Sequence, residues 1–120
     1  MKSMLKTLAL LSDETRLRIL AVLEGGESCV CEVMKALDIT QSSASRGLTA
    51  LYDAGLLAMR REGAWSLYAL NYAGMAPYQQ QLVKLILKQL RSEALVADDR
   101  NGLVRAQAES PRRLSTAETR

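Results

Sequence analysis

The chain is 120 residues long and 48% hydrophobic, with one Trp, four Tyr and no Phe, so it fits one domain with a modest aliphatic core. A formal charge of +3 permits a nucleic-acid partner without requiring one, and no apolar run approaches the ~20 residues that cross a bilayer. There is no histidine, and the only two cysteines, Cys29 and Cys31, lie too close in sequence for a disulfide framework and read as reduced thiols.

Leu5, Leu8 and Leu11 recur at helical spacing and predict a first short helix ending near Ser12. Its lysines and leucines look briefly like a leader, but charge resumes at Asp13, so the segment reads as an amphipathic helix of a cytoplasmic protein. Asp13 is a good cap for a second helix, "ETRLRILAVLEGG", with Leu17, Ile19, Leu20 and Leu23 inward and Gly25-Gly26 as the stop. A third helix runs from about Cys29 to Leu37. With Cys29 as cap, Glu32 falls at the position of a capping box. "DIT" is a turn, Thr40 caps "QSSASRGLTALYDAG", and Gly55 closes it. "LLAMRR" and "AWSLYAL" then flank Glu62-Gly63 as a two-stranded hairpin. Met75 to about Val96 returns to helical spacing. Residues 97–120 are polar and mixed in charge, so 1–96 reads as the folded domain and 97–120 as a disordered tail.

The order of elements is mainly α with a small β-hairpin: a winged helix-turn-helix. The start of the second helix of the turn motif reads Gln41, Ser42, Ser43, Ser45 and Arg46, short or polar side chains that suit the major groove. Arg60 and Arg61 precede the wing tip, placed either for phosphate or as a solvated pair on an edge strand.

"LSDETRLRIL" and "SSASRGLTALYDAGLLAMRREGAWSLYAL" resemble the second helix, recognition helix and wing of the ArsR/SmtB winged-helix metal-responsive repressors, a likeness covering roughly residues 5–95. Gly47 stands where that family commonly has His, which removes one expected DNA contact, and Ala64 where a basic residue is common. "SCVCEVMKAL" is similar to the Cys-Val-Cys motif of the arsenic-sensing branch. The resemblance implies that Cys29 and Cys31 bind trivalent arsenic or antimony as inducer, with no cofactor needed for DNA binding. Thiolates are the soft ligands such a centre prefers, and a helix N-terminus is expected to lower both thiol pKa values. A third cysteine often found in the family is replaced by Met34, which reads first as core; two thiols also suit methylarsenite.

At ~100° per residue the two sulfurs would point apart in a regular helix, so bridging them is expected to unwind its first turn and tilt the recognition helix. Leu5 and Leu8 with Leu82, Leu85 and Ile86 are expected to join two copies through the first and last helices. A homodimer predicts an inverted-repeat double-stranded operator, and no membrane is involved. A thiol-based redox repressor is the alternative; an enzyme would need a base or phosphate loop that the sequence lacks.

Overall fold

The computed structural model describes residues 1–113. Its helices are α1 (Lys2–Leu11), α2 (Glu14–Leu23), α3 (Val30–Leu37), α4 (Gln41–Asp53), α5 (Pro77–Leu90) and α6 (Ala94–Ala108). The strands are β1 (Ser28–Cys29), β2 (Leu57–Glu62) and β3 (Trp65–Leu70).

The two helix starts expected from the sequence are built as side-chain caps. The Asp13 carboxylate accepts the Arg16 backbone N–H at 3.0 Å, and Thr40 Oγ1 accepts that of Ser43 at 3.1 Å. Each satisfies a backbone donor that the helix cannot, worth about 1 kcal/mol. Gly55, at φ +83°, turns the chain out of α4 into the wing. Ile19, Leu20 and Val22 of α2 meet Val33 and Leu37 of α3, and Leu48 and Leu51 of α4, in one buried aliphatic cluster. Leu57, Val83 and Leu87 close it from the wing and α5.

Position 47 faces this core. A Cβ on Gly47 would meet Ile19 Cδ1 at 2.5 Å, so the glycine lets α4 lie close on α2. A side chain at position 47 would first have to displace the end of Ile19, so the glycine has a packing role beside the expected loss of a DNA contact.

β2 and β3 form the expected hairpin, antiparallel from Leu57↔Leu70 to Glu62↔Trp65, with Gly63 at φ +59° in the turn. The sheet has a third strand that the sequence did not announce. β1 pairs with β3 through Ser28↔Tyr68 and Cys29↔Leu67, giving the order β1-β3-β2.

The single helix expected over 75–96 is two helices, broken between Leu90 and Ala94, and the tail reading of 97–120 is corrected over the described part. α6 buries Val96, Asp99, Gly102, Leu103 and Ala106. Asp99 is held by the Arg18 guanidinium of α2, with Nε to Oδ2 at 2.8 Å and Nη2 to Oδ1 at 2.9 Å. The same Nη2 donates to the Leu37 carbonyl at the end of α3, at 2.8 Å. One arginine thus ties α2, α3 and α6 together. The remainder of the expected tail, 114–120, lies outside the described residues.

Candidate ligand and nucleic-acid site

Cys29 and Cys31 are free thiols whose sulfurs lie 2.9 Å apart. The expectation that they point apart fails for a specific reason. Cys29 is not inside α3; it is the N-cap, with extended backbone at φ −87° and ψ 169°. Its side chain therefore leaves the chain before the helical screw begins and swings beside Cys31 in the first turn. Unwinding α3 is unnecessary to bring the sulfurs onto one atom.

Two features fix the N-cap. The Glu32 carboxylate accepts the Cys29 backbone N–H at 3.2 Å, the capping-box half expected from the spacing. Cys29 also ends strand β1, so the sheet holds its backbone from the other side. Glu32 is 1% exposed and is met by Arg112, Nη2 to Oε1 at 3.2 Å and to Oε2 at 3.3 Å.

The expectation of two lowered thiol pKa values is corrected for Cys29. Burial first, and then its hydrogen bond with Cys31, push the Cys29 thiol up to about 11, outweighing the lowering by the Glu32 backbone N–H. The folded-state value lies above the ordinary 9.0, so this protonated thiol contributes stability that is complete below pH 9 and lost as pH rises towards 11. Cys29 is 3% exposed, whereas Cys31 is only half-buried. Iodoacetamide at pH 8 should therefore label Cys31 first and Cys29 at least about tenfold more slowly, read by peptide mass spectrometry. Equal rates would contradict this geometry.

A cavity of about 260 Å³ opens beside the thiols, lined by Cys29, Val30, Cys31, Gln41, Ala64, Trp65 and Ser66. It lies where the start of α4 and the tip of the wing face the dithiol. Met34 packs against the core cluster, in keeping with its reading as a core residue. Among the described residues no group of three or more His, Cys, Asp or Glu is arranged to hold a metal ion.

On α4, Gln41, Ser42, Ser45 and Arg46 are exposed along one face. Arg46 donates to Ser42 Oγ, and Ser43 is half-buried with its N–H engaged by the Thr40 cap. The wing arginines divide. Arg60 is paired with Glu27, Nε to Oε2 at 2.9 Å, and with Glu62 at 2.9 Å. Arg61 is exposed and donates to Ser66 Oγ at 3.1 Å. Leu5, Leu8 and Leu85 are exposed on α1 and α5, while Leu82 and Ile86 are half-buried against the core. The helix carrying the last three is α5 and not the last helix, which is α6. Tyr78 joins α1 to α5, its hydroxyl 3.0 Å from Ser3 Oγ and 3.3 Å from Thr7 Oγ1.

A hairpin set behind two helices joined by a three-residue turn defines the winged helix-turn-helix class. The family model for bacterial regulatory proteins of the arsR family matches residues 13–58. The arsenical resistance operon repressor of Escherichia coli K12 is 48% identical over 63 residues, covering 52% of this chain and 54% of that protein. Its counterpart in Staphylococcus aureus is 35% identical over 72 residues, covering 60% and 69%. The chain belongs to the ArsR family, whose members are transcriptional regulators and not enzymes. A homodimeric winged helix-turn-helix DNA-binding domain from Mycobacterium bovis superposes with a TM-score of 0.62 at 26% identity, covering 78% of this chain and 82% of that one. The chain spans a little over half the length of the first curated relatives it matches.

Proposed function

We propose that the protein is a DNA-binding repressor that leaves its operator when trivalent arsenic or antimony binds Cys29 and Cys31. The observation that carries this reading is the pair of thiols 2.9 Å apart at the foot of the helix-turn-helix. A soft centre with bonds to sulfur of about 2.3 Å needs its two sulfurs roughly 3–4 Å apart, so the site closes on it with a shift of under about 1 Å. The raised Cys29 pKa also favours this class of ligand. Arsenous acid carries hydroxyl groups, and each thiol proton leaves with one of them as water, so a protonated thiol is no obstacle. A divalent soft cation must instead displace that proton. Peroxide sensing needs a thiolate, which the buried Cys29 thiol, pushed up to about 11, does not supply at neutral pH, so the redox alternative would rest on Cys31 alone.

Release follows from the place of the cavity. A bound centre's remaining substituent enters the space shared by Gln41 of the recognition helix with Ala64, Trp65 and Ser66 of the wing. Filling it pushes two DNA-reading elements apart, and a coupling of ~1–3 kcal/mol is typical of such effects. On DNA, Gln41, Ser42, Ser45 and Arg46 read the major groove, with Ser43 near the backbone. Arg61 meets phosphate, and Arg60 does so only by leaving its carboxylates. Val30, Ala64 and Trp65 make three walls of the cavity apolar, which favours a second reading in which the substituent is carbon, as in methylarsenite.

Leu5, Leu8 and Leu85, extended by the half-buried Leu82 and Ile86, join two copies and set an inverted-repeat operator. Leu85→Glu should convert a micromolar dimer to monomer by sedimentation; an unchanged dimer would place the interface elsewhere. The function itself is tested by anisotropy on labelled DNA from upstream of the gene. Arsenite, antimonite and methylarsenite are titrated in turn, and the most potent names the inducer. A complex that ignores all three refutes the sensing role.

A further inference from the structure

We propose that Glu32 and Arg112 are positioning residues for the dithiol, so that the segment after α6 sets how well the sensor closes. The inference rests on the reading of Cys29 and Cys31 as ligands, and concerns what holds them together. Closure depends on Cys29 staying extended at the N-cap, since one more residue of helix there would swing its sulfur away from Cys31. The acceptor that satisfies its backbone N–H in that extended N-cap conformation is the Glu32 carboxylate. That carboxylate is in turn gripped through both oxygens by Arg112, some 80 residues along the chain.

A second hold comes from α6 itself. Gln107 Nε2 donates to Ser28 Oγ at 3.2 Å and to the Glu27 carbonyl at 3.3 Å, immediately before Cys29. The C-terminal region therefore reaches both the strand before the thiols and the carboxylate after them. An ion pair at 1% and 7% exposure carries a large desolvation cost and is a poor device for net stability. Partners one shell out from a metal ligand, by contrast, commonly change affinity by about 10–100-fold when removed.

The test uses the full chain and the double variant Glu32→Leu/Arg112→Met, which removes both members of the buried ion pair together. Two readouts are taken: arsenite retained per protomer, and the rate at which dibromobimane bridges the two thiols, which becomes fluorescent only when both sulfurs react. The double variant is expected to bridge at least about tenfold more slowly and to bind arsenite correspondingly more weakly. Arg112→Lys, which keeps a cation for Glu32, should stay within about threefold of the unaltered chain. Bridging by the double variant at the unaltered rate overturns the proposal. Should that variant fail to fold, Glu32→Ala, which removes the acceptor of the Cys29 N–H, carries the same comparison, and unchanged bridging there overturns the proposal equally. If the unaltered chain bridges well but takes up no arsenite, the ligand reading fails while the bridging rates still decide the positioning role.

Discussion

A Cys31→Ser protein is expected to hold operator DNA as tightly as the unaltered chain and to ignore arsenite at concentrations that empty the unaltered complex. Cys31 is half-buried in the first turn of α3, makes no cap, and touches Cys29 rather than the core, so its replacement removes a ligand and little else. Losing one of two sulfurs turns a closed chelate into a single bond, a loss of about 10²-fold or more in affinity. Cys29→Ser should lose arsenite to the same extent yet remain folded, because serine is a preferred N-cap and its oxygen can accept a backbone N–H of α3, keeping stability within about 1 kcal/mol. Arsenic retained through gel filtration and the anisotropy of the DNA complex measure the two halves of this expectation. Release of Cys31→Ser by arsenite as readily as the unaltered chain would remove the dithiol from the mechanism.

Gly102→Ala is expected to destabilise the fold although it is a helical glycine gaining a single methyl. A Cβ at 102 would lie 2.7 Å from the Ala36 carbonyl oxygen and 3.3 Å from its Cα. Backbone cannot rotate away, so α6 must retreat from α3. Overpacking of this kind costs about 1–3 kcal/mol, offset by up to ~1 kcal/mol of improved helix propensity, and the net change should lower Tm by several degrees. Gly47→Ala provides the contrast, since its close contact, at 2.5 Å, is with the far end of the Ile19 side chain, and Thr15 Cγ2 at 3.8 Å is in ordinary contact. That terminus can turn, so the same propensity gain should leave Tm nearly unchanged. Thermal melts of the two variants side by side would show whether α6 is seated on α3 by backbone contact.

Much of the fold is legible because its signals are local. Asp13 and Thr40 sit one residue, and Gly55 two residues, from the helix ends they control, and the hairpin follows from the two strand-forming runs that flank Glu62-Gly63. α6 escaped notice for a different reason. Its buried stripe, residues 96, 99, 102, 103 and 106, has perfect helical spacing but consists of Val, Asp, Gly, Leu and Ala. Hydropathy cannot rank an aspartate as interior when the arginine that neutralises it, Arg18, lies 81 residues away. The dithiol shows the same limit on a smaller scale. The capping-box pattern was readable from Cys29 and Glu32, yet the facing sulfurs depend on Cys29 also closing a two-residue strand against Leu67, and so short a strand leaves no pattern in sequence. The Arg60 pairing with Glu27 is likewise invisible until β1 brings residue 27 beside the wing.

Cys29 belongs at once to a strand, to a helix end and to the dithiol. It pairs with Leu67 in the sheet that carries the wing, and it caps the helix that leads into the recognition helix. In the sensing role proposed above, the ligand sits at the joint between these two levers, beside the cavity that Gln41 and Trp65 line, so no chain of intermediaries separates trigger from response. The same economy has a cost in tolerance: at residue 29 a substitution that keeps the cap, such as serine, still removes the sulfur, so the cap and the dithiol cannot be altered independently.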